Sequence, residues 1–172
     1  PAHPHQRGFV KTRLLLQNVL QLDAVARGAG RAAFQHFLPC ICLLDFAAAF
    51  PSLSHEWIMR CLVACGLPRG LLAIFTSNYS SNMVISMNSD KILFGIFSGA
   101  LQGCTLSGAL FVLATDPFTH AVSTAMSAFP RSLALVAADD VAVVLGALKA
   151  LVSLRGVLRI VKRLSALELN TK

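Results

Sequence analysis

Acidic side chains are scarce in this chain: 8 Asp and Glu stand against 15 Lys and Arg in 172 residues. The imbalance leaves a formal charge of +7 and a pI near 9.7. That excess suits a polyanionic partner such as nucleic acid, or an anionic membrane surface; the bland reading is a basic protein with no special partner. Zinc spacing is also lacking. The five cysteines, Cys40, Cys42, Cys61, Cys65 and Cys104, are odd in number and apolar in setting. They read as reduced intracellular thiols rather than disulfide or zinc frameworks. The polar start PAHPHQRGFVKTR lacks the apolar core of a signal peptide and an initiator Met. The expectation is a fragment of a longer chain, located inside the cell, nuclear or cytoplasmic. Repeats and low-complexity linkers are lacking too, which fits one domain or one compact piece of a larger one.

One segment is long and uncharged. Ile92 to Thr115 runs 24 residues without Asp, Glu, Lys or Arg, enough to span a bilayer. It includes Ser98, Gln102, Ser107 and four glycines. We read it as a loop between a strand and a buried helix, not as a membrane span.

What is present is a mixture of helical and strand patterns. Residues 9–27 carry helical spacing, with Leu15, Val19 and Leu22 on one face, and GAGRAA at 28–33 reads as a loop. CICLLDF at 40–46 reads as a buried strand with Asp45 at its end. Pro51 breaks that strand, and Ser54 can cap a helix through about Leu62. GLP at 66–68 ends it, and a further helix follows from Arg69 to Asn78. Residues 84–97 form a hairpin pattern turning at NSD. Gly108 to Ala125 and Gly146 to Ala166 read as helices, and LALVAADDVAVVL between them as two short strands. With no regular alternation of strand and helix, the class is α+β.

The scarcity of acids makes the exceptions informative. Asp139 and Asp140 stand side by side in an apolar run and are the only acids between Asp116 and Glu168. No Lys or Arg lies between Arg131 and Lys149 to neutralise them. Two adjacent like charges repel, and burying either is costly. They can be an exposed hairpin turn, where Asp is common, or they can hold a cation. Asp45 is 94 residues away from Asp139, so a folded sheet is needed to bring them together. Adjacent strands lie about 5 Å apart, close enough for carboxylates to share cations. Mg²⁺ takes one or two carboxylates plus substrate phosphates, and two such ions can clamp a phosphoryl transfer.

The blocks LLDFAAAFPSLSH, GALQGCTLSGALFVLATDPF, AADD and LSALELNTK, with the opening HQRGFVKTRLLLQN, resemble the reverse-transcriptase domain of non-LTR retrotransposons in that family's order. The resemblance runs from about Gln6 to Lys172. It implies a polymerase palm, an antiparallel sheet with helices packed on one face, plus part of the fingers. About 1–38 would be fingers and about 39–172 mainly palm, with no thumb. The implied activity is RNA-directed DNA synthesis, with an RNA template, a DNA primer and dNTP as partners. The implied cofactor is two Mg²⁺ ions, with Mn²⁺ as a substitute. Asp45 and Asp139 would be the main metal ligands, Asp140 would assist, and the carbonyl of Phe46 would face a metal. Phe50 would crowd the sugar of the incoming nucleotide. Gln102 and Gly103 would touch the nucleotide and template, Arg13 would contact phosphate, and Asn170 and Lys172 would open the last palm block.

Read without the resemblance, Phe50 is an ordinary core aromatic and Gln102 loop chemistry. Arg155, Arg159, Lys162 and Arg163 recur at helical spacing as a basic stripe, a solvated face or a nucleic-acid contact. Lys and Arg are expected around the Asp pair, because the substrate is polyanionic. The chain departs from the family pattern at Ala137, where an aromatic is usual, at Ala47 and Ala48, at Pro51 and at Gly108. The alternative reading is therefore a degenerate, inactive copy that at most binds nucleic acid.

Overall fold

The computed structural model describes residues 2–32, 39–101 and 103–170. A three-stranded antiparallel sheet is built from β1 (Cys40–Leu44), β4 (Leu133–Ala137) and β5 (Asp140–Leu145) in the order β1-β5-β4. β2 (Asn82–Ile85) and β3 (Ile92–Ile96) form a separate hairpin. Helices α1 (Leu15–Ala32), α2 (Ala49–Ser52), α3 (His55–Ala64), α4 (Arg69–Tyr79), α5 (Ser107–Ser127) and α6 (Lys149–Ser165) complete the described elements.

Pleating sorts the strand residues into two faces. Ala134 and Val136 of β4, with Val141, Val143 and Leu145 of β5, belong to the core; α5 packs on β4, and α3 and α6 pack on α5. Phe111, Phe118, Val122 and Met126 of α5, and Ala150, Leu154 and Val161 of α6, fill that layer. The register pairs Ile41 with Val144, Leu43 and Leu135 with Ala142, and Ala137 with Asp140. Those residues make the second face. Asn18, Val19 and Leu22 of α1 border an opening on that side together with Leu43, Ala137 and Asp140. α5 packs on the core face, as the palm reading has it, and α1, in the stretch read as fingers, packs against β4 and β5 and borders the second face.

Three expectations change. The first helix starts at Leu15 rather than residue 9, because residues 3–14 form turns held by side chains. It continues through Gly28 and Gly30, where a loop was expected; a Cβ at either would meet nothing, so both face open space. β1 is not a buried strand. It lies at the sheet edge, with Leu43 76% exposed and Ile41 50% exposed on the second face. A run of apolar residues cannot reveal that only one of its faces is covered.

The other boundaries follow local chemistry. Ser54 caps α3 by accepting from the Trp57 N–H at 3.4 Å. Gly66, at φ +72°, ends that helix in the left-handed conformation that favours glycine. The uncharged stretch from Ile92 splits into β3, a loop and α5, and no helix among the described residues is long and apolar enough to cross a membrane.

Candidate active site

Asp45 follows the last residue of β1 and is exposed. Leu44, the last residue of β1, pairs with Val141, and Asp45 follows it beside the start of β5. Asp140 opens β5, paired with Ala137. Asp139 is half-buried in the two-residue turn between β4 and β5. Its neighbour Ala138 has φ +60°, the sign that a tight hairpin turn requires at its first central position. The structure therefore brings Asp45 and the Asp pair to adjacent strand ends.

The end of the chain braces Asp45. The Asn170 N–H donates to the Asp45 carbonyl at 2.8 Å, and its side-chain Nδ2 donates to Asp45 Oδ2 at 3.2 Å. Ala47 N–H donates to the Glu168 carbonyl at 2.8 Å, and Phe46 bridges Leu169. The Phe46 ring is buried edge-on against Phe118, at 5.5 Å. Lys172, named with Asn170 in the last block, lies outside the described residues.

Phe50 is half-buried, stacked on Phe111 with ring centroids 4.2 Å apart and edge-on to Phe9 at 5.8 Å. The glutamine loop is tied to the same place. Ala100 N–H donates to the Phe50 carbonyl, and Gly99 N–H to Leu53, both at 2.8 Å. Gly99 has φ +98°, and a Cβ there would lie 2.9 Å from the Pro51 carbonyl oxygen, so glycine alone permits this approach. Gly103 is exposed at φ +85°, while Gln102 lies outside the described residues.

The basic residues are distributed differently. Arg13 turns its guanidinium inward. Nη1 donates to the carbonyls of His3 at 2.5 Å and Gln6 at 2.6 Å, and Nη2 to that of Ala2 at 2.8 Å. Arg155, Arg159, Lys162 and Arg163 are exposed on α6, and Lys162 also pairs with Glu168. α6 packs on α5 and α3 in the helical layer over the core face, and the opening that Asp140 borders is on the other face. Among the described residues, no Lys or Arg lines the opening beside Asp140. Its lining is apolar apart from Asn18 and Asp140. Ala137 contributes to this, since a small side chain leaves Leu135 and Leu43 to form the wall.

None of Asp45, Asp139 and Asp140 takes part in an ion pair among the described residues; the pairs there join Arg27 to Asp23, Arg60 to Glu56 and Lys162 to Glu168. Uncompensated carboxylates at facing strand ends are hard oxygen donors of the kind Mg²⁺ takes. Among the described residues no three His, Cys, Asp or Glu side chains close into a metal cage. The carboxylates at these strand ends are the donor type that Mg²⁺ takes, and they do not by themselves enclose an ion.

Sequence reasoning missed a third group of residues. Gln6 is fully buried, and Asn18 Nδ2 donates to the Val136 carbonyl at 3.0 Å. Arg7 Nη2 donates to Gln21 Oε1 at 3.1 Å. The only signal was that polar residues gather in the opening block QRGFVKTR.

A mixed fold with an antiparallel sheet carrying paired carboxylates at a hairpin is the frame of a nucleotide polymerase palm. The family model for reverse transcriptase (RNA-dependent DNA polymerase) matches residues 1–172, and the chain belongs to that family. It is 36% identical over 117 residues to the retrovirus-related Pol polyprotein from the type-2 retrotransposable element R2DM of Drosophila melanogaster. That match covers 66% of this chain and 11% of the relative, so the chain spans a small part of that protein's length. Among solved structures the fold is similar to telomerase from Candida albicans solved with a fragment of telomeric RNA, at TM-score 0.71 and 11% identity. It covers 92% of this chain and 29% of that one. Apo telomerase from Candida tropicalis gives TM-score 0.67 at 8% identity, over 96% of this chain and 32% of that one. At such identity the likeness is one of fold.

Proposed function

We propose that this chain is the fingers and palm part of a non-LTR-type reverse transcriptase and carries the nucleotidyl-transfer site of an RNA-directed DNA polymerase. The observation that supports the reading is that Asp45 follows the end of β1 while Asp139 and Asp140 stand at the start of its neighbour β5. The reaction joins a primer 3′-hydroxyl to the α-phosphate of a dNTP and releases pyrophosphate. Two Mg²⁺ ions bound to the carboxylates would supply an acidified hydroxyl and charge neutralisation on the leaving phosphates.

The chain's own residues hold and orient. Asp45 offers oxygens after the end of β1 and Asp140 at the start of β5, with Asp139 at the turn. Asn170 keeps one oxygen of Asp45 in a fixed direction, which narrows the geometries in which it meets a ligand. Phe50, fixed by stacking on Phe111, presents a rigid edge to the sugar of the nucleotide. Gly103, in its left-handed turn, lets the loop approach nucleotide and template without a side chain in the way. Arg13 serves the site from behind, by ordering residues 2–6 rather than by reaching a phosphate.

A second reading is favoured by Ala137 and by the apolar lining beside Asp140. It is a copy that keeps the fold and has lost the activity. Extension of a labelled DNA primer on an RNA template, with dNTPs and Mg²⁺, separates the two. Extension that is lost in Asp139→Asn supports the polymerase. No extension by this chain, even when joined to the remainder of a related polyprotein, supports the inactive copy.

A further inference from the structure

Gln6 is a polar side chain with no exposed surface. Burying an amide is costly unless its oxygen and nitrogen find partners. Gln6 Oε1 accepts from the Gly8 N–H at 2.9 Å and from the Ala138 N–H at 3.0 Å. Its Nε2 lies 3.4 Å from the Ala138 carbonyl oxygen, to which it donates. Both main-chain groups of Ala138 are thus held by one side chain. Ala138 is the residue before Asp139, and its positive φ is strained for an alanine.

The segment around Gln6 is itself fixed. Gln6 makes a parallel bridge to Val136, with Val136 N–H donating to the His5 carbonyl and Arg7 N–H to the Val136 carbonyl, both at 3.0 Å. Arg13 donates to the Gln6 carbonyl from the other side. A Cβ on Gly8 would lie 2.2 Å from Ala138 N, so the backbone of this segment lies directly against the turn. With alanine at 137 and 138, the turn has no bulky side chain of its own to wedge it in place.

We propose that Gln6 is a positioning residue for the polymerase site: its amide clamps the Ala138–Asp139 turn and so sets the direction in which Asp139 offers its carboxylate to a divalent cation. The role rests on the polymerase reading above, and two measurements keep the two separable.

Hydrogen exchange without metal tests the clamp. Replacing Gln6 by the similarly sized methionine, Gln6→Met, should speed exchange of the Gly8 and Ala138 amides about tenfold or more, since their acceptor is gone. Amides of β1 and α5 should keep their wild-type rates, which also shows that the variant folds. Gln6→Glu keeps an acceptor oxygen in place and should restore most of the protection. Mn²⁺ binding, read from the electron paramagnetic resonance signal of the free ion, tests the positioning. Asp139→Asn should abolish binding, and Gln6→Met should weaken it about tenfold, the scale at which outer partners tune metal ligands. Gln6→Glu should bind close to wild type. Unchanged amide exchange in Gln6→Met overturns the clamp. Faster exchange with unchanged Mn²⁺ affinity makes Gln6 a structural residue and overturns the positioning role. If wild-type protein shows no Mn²⁺ binding that depends on Asp139, the metal reading falls and the role with it, while the exchange rates still report whether the clamp exists.

Discussion

At the scale of single residues, burial separates groups that look alike in the sequence. Cys61 is buried beside the Ala114 carbonyl, and burial, with smaller contributions from Cys65 and Asp116, pushes its thiol up to about 11. Cys40 and Cys65 are exposed, and all five thiols are free. A thiol alkylates through its thiolate. Iodoacetamide near neutral pH should therefore label Cys40 and Cys65 quickly and leave Cys61 unmodified until the protein unfolds, as mass spectrometry of the digested chain can read. Phe111 makes a second residue-scale test. It is fully buried and is the surface on which Phe50 stacks. Phe111→Ala should cost about 3–5 kcal/mol in urea unfolding, through lost burial and the cavity left behind. The same change frees the Phe50 ring, so an active enzyme should discriminate less against ribonucleotides.

At the scale of elements, the stretch from His3 to Gly8 covers part of the open edge of β4 through a single bridge from Gln6 to Val136. It blunts an edge that would otherwise expose unpaired main-chain groups, and it carries the Gln6 contacts to the Asp turn. Two histidines lie in it. His3 packs against His5 and His120, and His5 Nδ1 meets Ser123 Oγ at 3.0 Å. Burial lowers the His3 value from the ordinary 6.5, and the nearby His5 and His120 lower it further; Asp116 opposes them, and Arg13 adds the smallest lowering. Burial and then Arg7 lower His5, partly offset by a hydrogen bond to the Ala134 main chain. The unfolded chain therefore binds protons at a higher pH than the folded one. Stability from these groups is complete above 6.5 and is lost as pH falls through their folded values. Urea midpoints should fall between about pH 7 and about pH 5, and His3→Gln with His5→Gln should flatten that slope. An unaltered slope in the double variant would place the acid sensitivity elsewhere.

At the scale of the molecule, the α6 basic stripe and Asp140 belong to different layers. The stripe lies in the helical layer over the core face, while Asp140 borders the opening on the second face. If the stripe tracks phosphates, binding to single-stranded RNA should weaken with salt, with a log–log slope of about −0.7 per phosphate neutralised. Arg155→Gln with Arg159→Gln should then reduce that slope by about 1.4 and leave Mn²⁺ affinity at the Asp site unchanged. A slope that does not move would make the stripe a solvated face. A loss of Mn²⁺ binding would show that the two regions are coupled through the core.

The sequence by itself determined most of the elements and the family, and it named the candidate site residues. Periodicity, the Ser54 cap, the Gly66 stop and the Asp45 and Asp139–Asp140 positions are local properties, and local properties are legible in order along a chain. The blocks also carried the α+β palm, because their order reflects the order of its elements. Tertiary structure alone decided three things. It made β1 an edge, since coverage of a strand depends on what lies beside it and not on its own residues. It turned Arg13 inward, because the carbonyls of Ala2, His3 and Gln6 converge on its guanidinium once the opening segment folds back. And it set Gln6 against Ala138, 132 positions away, where a hydrogen bond between an ordinary glutamine and a main-chain amide leaves no pattern in either segment.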